Sequence, residues 1–180
     1  NGIIAVDIAD DDELLTVRMG GEGMHVLMST AQGMAIRFAI TEDQVRPMGR
    51  VARGVRGIGL RPDDHVVDAE VVDSEDPDSL LTVTAFGYGK RTAIEEYRSQ
   101  NRAGLGLIDI KTSPRNGPVV GQKLVDEDGE GMVITSAGKL IRTSAKGIKV
   151  QSRNTQGVKV ISLGEGDRVV SVARLREAAT

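Results

Sequence analysis

Thr30-Ala31-Gln32-Gly33, Thr84-Ala85-Phe86-Gly87 and Thr135-Ser136-Ala137-Gly138 are three copies of one turn signal, 54 and 51 residues apart. A second glycine follows each copy: Gly54, Gly106 and Gly157. After each second glycine comes a β-type run, Val55-Arg56-Gly57-Ile58, Leu107-Ile108-Asp109-Ile110 and Val158-Lys159-Val160-Ile161. The opening Gly2-Ile3-Ile4-Ala5-Val6 matches that run one period earlier. Apolar pairs start each unit, at Leu14-Leu15, Val66-Val67, Val119-Val120 and Val169-Val170. Self-similarity at a fixed period marks a repeat architecture.

The period divides the chain into a last strand of a preceding unit (1–8), three repeats (9–60, 61–112 and 113–163), and a closing strand with a tail (164–180). In the first repeat the expected strands lie near Leu14–Arg18, His25–Thr30, Met34–Ile40 and Val55–Leu60. The second of these alternates, with Met24, Val26 and Met28 on one side and His25 and Leu27 on the other. Four short strands in roughly 40–50 residues is the signature of a propeller blade. The expected fold is all-β, a propeller of about three to four blades. One small sheet cannot bury both its faces alone, so neighbouring blades must stack. The unmatched strands at both ends point to strands shared between neighbours.

Composition agrees. The 180 residues include 22 Gly, five Pro, two Phe, two Tyr and neither Trp nor Cys. The core must be aliphatic, and tight turns must be frequent. Lack of Cys excludes disulfides and thiolate metal sites. No apolar run reaches the roughly 18 residues of a membrane span, so no membrane is expected as a partner. The chain opens on Asn1 rather than Met and reads as an excised or processed piece.

The net charge of −3 argues mildly against a polyanionic partner, but its distribution reverses that. Residues 33–60, 87–111 and 138–160 together hold sixteen basic and five acidic residues, while the rest of the chain holds seven and 21. Basic positions recur in phase. Four after the first glycine stand Arg37, Arg91 and Arg142. Eight before the second glycine stand Arg46, Arg98 and Lys149, and four before it Arg50, Arg102 and Arg153. Arg53, Arg56, Lys90, Lys139 and Lys146 complete the candidate set. In a stack of equivalent blades, these positions would form a belt suited to a long, bent polyanion, bound through its backbone and by deformability. In duplicated units a recurring arginine can equally cap a strand or pair with a recurring acid.

Phe86-Gly87-Tyr88-Gly89-Lys90-Arg91-Thr92 and Ser152-Arg153-Asn154-Thr155-Gln156-Gly157-Val158 closely resemble the C-terminal domain of the DNA gyrase A subunit. So do Arg53-Gly54-Val55-Arg56-Gly57-Ile58 and Arg115-Asn116-Gly117-Pro118-Val119-Val120-Gly121. The resemblance keeps the same order over nearly the whole chain. It implies a β-pinwheel whose blades exchange a strand, and duplex DNA wrapped around a basic rim with positive sense. It further implies a role in ATP-dependent negative supercoiling by a bacterial type II topoisomerase, with the rest of the A subunit and the B subunit as partners in a complex of two A and two B subunits. No cofactor is expected in this segment; ATP and magnesium serve other parts of that enzyme. The implied location is the cytoplasm, at the nucleoid.

Two departures stand out. The family's basic, glycine-rich box, Gln-Arg-Arg-Gly-Gly-Lys/Arg-Gly, is replaced by Arg50-Val51-Ala52-Arg53-Gly54, Arg102-Ala103-Gly104-Leu105-Gly106 and Arg153-Asn154-Thr155-Gln156-Gly157. The family's acidic tail is missing after Arg174-Leu175-Arg176-Glu177. Two alternatives stay open: the similar domain of the topoisomerase IV A subunit, and a propeller that binds protein through an acidic face at Asp73, Glu75, Asp76 and Asp78. Exposed end blades also make self-association an expectation.

No catalytic set is visible. His25 and His65 lie in strand patterns without metal-ligand spacing. Gly87-Tyr88-Gly89 is not followed by a helix pattern, as a phosphate loop would be. Tyr97 is in phase with Val45 and Ile148, each nine residues before the second glycine, and so reads as core. Asp10–Glu13 lacks the alternation of a calcium loop.

Overall fold

The computed structural model describes residues 2–73 and 79–175. These form eleven strands: β1 His25–Thr30, β2 Met34–Ala39, β3 Val66–Val72, β4 Ser79–Thr84, β5 Tyr88–Ala93, β6 Leu107–Ile108, β7 Val119–Val125, β8 Glu130–Thr135, β9 Leu140–Ser144, β10 Val158–Lys159 and β11 Val169–Leu175. Two single-turn 3-10 segments, Ile94–Glu96 and Ala145–Gly147, are the only helical pieces among the described residues.

Three antiparallel sheets result, in the orders β3-β1-β2-β6, β10-β5-β4-β7 and β11-β8-β9. Each core is a hairpin whose turn is the Thr-x-x-Gly signal. Gly33, Gly87 and Gly138 have φ of +80°, +78° and +77°, the left-handed region that favours glycine. The hairpin is then flanked by strands from later sequence. β3 lies antiparallel to β1, pairing Val72 with His25 and Val71 with Val26, and β6 pairs Ile108 with Met34. In the second sheet β7 and β10 fill the same places.

Strand sharing is therefore real, and it corrects two expected strands. Val66-Val67 does not open the second blade; it starts the strand that completes the first. Leu14–Arg18, in phase with it, forms no ladder, and neither does Val55–Leu60. Their equivalents at 66–72 and 107–108 each pair with the hairpin of the preceding unit. For Leu14–Arg18 and Val55–Leu60 that hairpin is not among these residues.

The second glycines make the exchange possible. Gly106 and Gly157 have φ of +73° and +74°, and their Cα atoms lie against strands of the preceding blade. Blades are also joined at the turns. The Ala31 N–H donates to His65 O at 2.9 Å, and Ala31 O accepts from Val119 N at 2.9 Å. Ala85 links Pro118 and Val169 in the same way.

Both sides of the first two hairpins are largely buried, whereas in the third one side of β9 is open, with Leu140 67% exposed. Leu27 packs with Ala35, Val72, Leu80, Ile94, Tyr97 and Leu124 between the first two sheets. Val26 and Met28 pack on the other side with Ile36, Phe38 and Ile58. A third cluster, around Leu81, Val83, Val133, Ile148 and Val172, fills the space between the second and third sheets.

At their inner edges β3 and β7 approach each other and carry an ionic cluster. Arg18 reaches Glu70 through two hydrogen bonds of 3.1 Å, and Lys123 Nζ lies 2.5 Å from Asp68 and 2.9 Å from Glu70. Arg18, Glu70 and Lys123 each stand four residues after the apolar pair that opens their segment, so equivalent inner positions alternate in sign.

Candidate nucleic-acid interface

The fourteen candidate cations do not share one environment. Arg46, Arg98 and Lys149, the row eight before the second glycine, are all exposed. None of them forms an ion pair among the described residues. Each follows the second hairpin strand of its unit (β2, β5 or β9), and the segments of Arg98 and Lys149 run beside the preceding hairpin through bridges of Ser99 to Arg37 and Val150 to Arg91. Arg50, Arg53 and Arg56 are exposed beside Arg46, with Arg53 paired to Asp7 at 3.0 Å. Lys139, Arg142 and Lys146 are exposed on the third blade, paired to Asp167, Glu130 and Asp128. The Asp167 side chain is itself largely covered, but the other pairs are exposed, and such pairs contribute little to stability and exchange readily with a phosphate.

Two expected contacts are corrected. Lys90 has no exposed surface, and Arg91 is 6% exposed. They leave opposite faces of β5, and both are buried because segments of the third unit cover that strand. Arg91 Nε donates to Ile148 O at 2.8 Å, and Arg37 Nη1 donates to Ile94 O at 3.4 Å. Ile94 opens the 3-10 turn of the unit after Arg37, and Ile148 directly follows that of the unit after Arg91. The row of Arg37 and Arg91 is thus a staple between blades. Arg142, its third member, pairs with Glu130 instead.

The row four before the second glycine is mixed. Arg50 is exposed. Arg102 Nη1 donates to Arg56 O at 3.2 Å, and Arg153 Nη1 donates to Ile108 O at 2.9 Å, so each ties its segment to the preceding unit. Their backbone N–H groups are held as well, by Gln44 Oε1 at 2.9 Å and Glu96 Oε2 at 3.3 Å, which are themselves in phase.

Asn116 is a residue the sequence reading passed over. It is fully buried, accepting from Ser113 N at 2.7 Å and donating to Lys111 O and Gln156 O at 2.9 and 3.1 Å. Asp64 and Asp167 serve the corresponding turns, accepting from Gln32 N at 2.9 Å and Ala137 N at 3.0 Å. The visible signal was an Asn or Asp two to three residues before each apolar pair.

Tyr97 is core, 1% exposed, and Ile148 is 3% exposed, as their shared phase suggested. No group of three or more potential metal ligands occurs among the described residues. Among the described residues no helix is long and apolar enough to cross a membrane. Of the acidic face, Asp73 is described, whereas Glu75, Asp76 and Asp78 lie outside the described residues, as do Arg176 and Glu177.

The family described as the DNA gyrase C-terminal domain, a β-propeller, matches residues 25–73, 78–121 and 132–176. The chain belongs to this family. The matched stretches follow the three hairpins and run into the inner strand after each, the second ending within β7 and the third starting within β8. The DNA gyrase A subunit of Salmonella typhimurium is 47% identical over 176 residues, 98% of this chain and 20% of that protein. The chain therefore spans about a fifth of the curated relatives it matches. The solved structure of a DNA gyrase A C-terminal domain superposes with a TM-score of 0.87 at 28% identity, over 97% of this chain and 58% of that one. A DNA topoisomerase IV C-terminal domain gives 0.86 at 22% identity, over 95% and 52%. Backbone shape is thus common to both types of domain.

Proposed function

We propose that this chain binds duplex DNA and bends it around the rim marked by Arg46, Arg98 and Lys149. In this reading it is part of a gyrase A subunit and supports ATP-dependent negative supercoiling. The observation that carries it is the row itself: one exposed cation per unit, in phase, free of ion pairs. Cations serving the fold have acceptors, as Arg37 and Arg91 do, and these three have none among the described residues. Arg50, Arg53, Arg56, Lys139, Arg142 and Lys146 broaden the belt.

The rest of the A subunit and the B subunit are the implied partners, in the bacterial cytoplasm at the nucleoid. Identity of 47% to a gyrase A subunit favours gyrase over topoisomerase IV, which the fold does not separate. The outer edge of β9 has no ladder neighbour among the described residues and is where a second copy would dock.

The test is charge reversal of Arg46, Arg98 and Lys149 together. Arg102 and Arg153 are unsuitable, because they also tie units together. Affinity for duplex DNA should fall steeply, and the slope of log K against log salt should shrink by about three, roughly 0.9 for each lost phosphate contact. Nicked circles ligated on the wild-type chain should show a linking-number shift of positive sense. Unchanged affinity in the triple variant would overturn the reading.

A further inference from the structure

The middle blade contains a polar cluster where its neighbours have apolar packing. Thr82 and Lys90 are cross-strand partners on β4 and β5. Lys90 Nζ lies 3.9 Å from Asp109, and Asp109 accepts from Thr82 Oγ1 at 2.8 Å and Tyr97 OH at 2.5 Å. Lys90, Asp109 and Thr82 have no exposed surface, and Tyr97 has 1%.

The repeat supplies its own control. The equivalents of Thr82, Lys90, Tyr97 and Asp109 are Met28, Ile36, Val45 and Gly57 in the first unit, and Val133, Ile141, Ile148 and Val160 in the third. The cross-strand pairs recur as Met28–Ile36 and Val133–Ile141, and these side chains belong to apolar clusters. The same place in the same fold is therefore filled by hydrocarbon twice and by an ion pair once. Apolar replacement of a buried ion pair is often neutral or stabilising, so the fold does not require this one.

What the ammonium adds is a grip on another segment. Lys90 Nζ donates to the carbonyls of Ser152 and Arg153, both at 2.8 Å. Those carbonyls belong to the rim segment of the third unit, between Lys149 and Gly157. Glu96 holds the N–H of Arg153 from the other side. An aliphatic side chain at position 90 could not bind two carbonyls.

We propose that Lys90 is a positioning residue for DNA binding, fixing from inside the rim segment that carries Lys149 and Arg153, and that this segment loosens when Lys90 loses its proton. The inference rests on the DNA-binding reading above. Asp109 from the segment after β6, Glu96 from the 3-10 turn and Arg153 from the rim all face the ammonium. Burial brings its pKa down to about 8, against the opposing pull of Asp109 and Glu96 and with some repulsion from Arg153. Deprotonation accordingly falls just above neutrality and replaces the ammonium with a neutral amine, whose two N–H donors hold Ser152 O and Arg153 O more weakly because the charge is gone.

The test compares the wild-type chain with Lys90→Met/Asp109→Asn, which removes both charges and keeps an oxygen to accept from one of the Tyr97 and Thr82 hydroxyls and an amide N–H to donate to the other. Amide-exchange protection of residues 151–155 is measured without DNA from pH 7 to 9.5, with duplex affinity measured in parallel. In the wild type, protection and affinity should fall together through about pH 8. The variant should melt as cooperatively as the wild type, bind DNA roughly three- to tenfold more weakly at pH 7, and lose that pH-dependent step. Lys90→Arg, which keeps a cation, should retain part of the pH 7 affinity. Wild-type protection that is flat across this range, or a variant whose affinity and pH profile match the wild type, would overturn the proposal. A wild type that loses protection but binds no DNA at any pH would overturn the DNA-binding reading, and with it the role of Lys90, while leaving the lock itself demonstrated.

Discussion

Gly106 sits against the carbonyl of Ala35 in the preceding blade, so close that a Cβ built on it would stand 2.3 Å from that oxygen. Its φ is +73°, a region that L side chains rarely adopt. Gly54, in phase with it, has φ of +79° but faces open space. The pair separates two reasons for a glycine. Gly54→Ala should cost about 1 kcal/mol, for backbone strain alone. Gly106→Ala should cost about 3 kcal/mol or more, because the exchanged strand must move as well. Urea unfolding of the two variants checks the difference.

Arg91 and Arg142 occupy the same place in successive units and should behave oppositely. Arg91→Ala strands the carbonyl of Ile148 in a buried seam, an expected loss of about 2–3 kcal/mol. Arg142→Ala removes one exposed pair with Glu130 and should change stability by less than about 0.5 kcal/mol. Thermal melts of the two single variants provide the comparison.

Glu70 gives the inner edge a dependence on acid. Burial opposes its ionisation, but hydrogen bonds from Arg18 and Lys123 and their charges outweigh that and hold its pKa below the usual glutamate range. A carboxylate with a lower pKa in the folded state adds stability that is fully present above the unfolded value, about 4.3, and drains away as pH falls through the folded one. Denaturant midpoints of the wild type should therefore drop as pH falls below about 4.3. Glu70→Gln should show a shallower drop over that window and a lower plateau at pH 7. Equal slopes for the two would refute this assignment.

The fold could be read largely from spacing. Glycine phase located the hairpins, and period-2 alternation located both faces of β1. Strand sharing followed from unmatched runs at the ends. The roles of the cations could not be read in this way. Lys90, Arg91 and Arg98 are similar charges within nine positions, yet two are buried and one is exposed. What distinguishes them is the presence of acceptors, and these are backbone carbonyls at Ile148, Ser152 and Arg153, which carry no sequence signature. The same blindness hid the polar cluster, since Lys90 counts as surface until Asp109 and Tyr97 are placed beside it. Leu14–Arg18 and Val55–Leu60 were misassigned for a related reason. A strand needs a partner, and β-propensity does not say whether one is present.

Strand sharing also has a consequence for how the molecule is made. The hairpin and β3 of the first sheet end at Val72, yet the sheet is finished only when Leu107–Ile108 comes in beside Met34–Ala35. At a translation rate of about 5–20 residues per second, that delay is roughly 2–7 s. A nascent chain thus always carries one blade with an open edge, and each new unit seals its predecessor before it is itself sealed. Assembly runs one unit behind synthesis and in one direction.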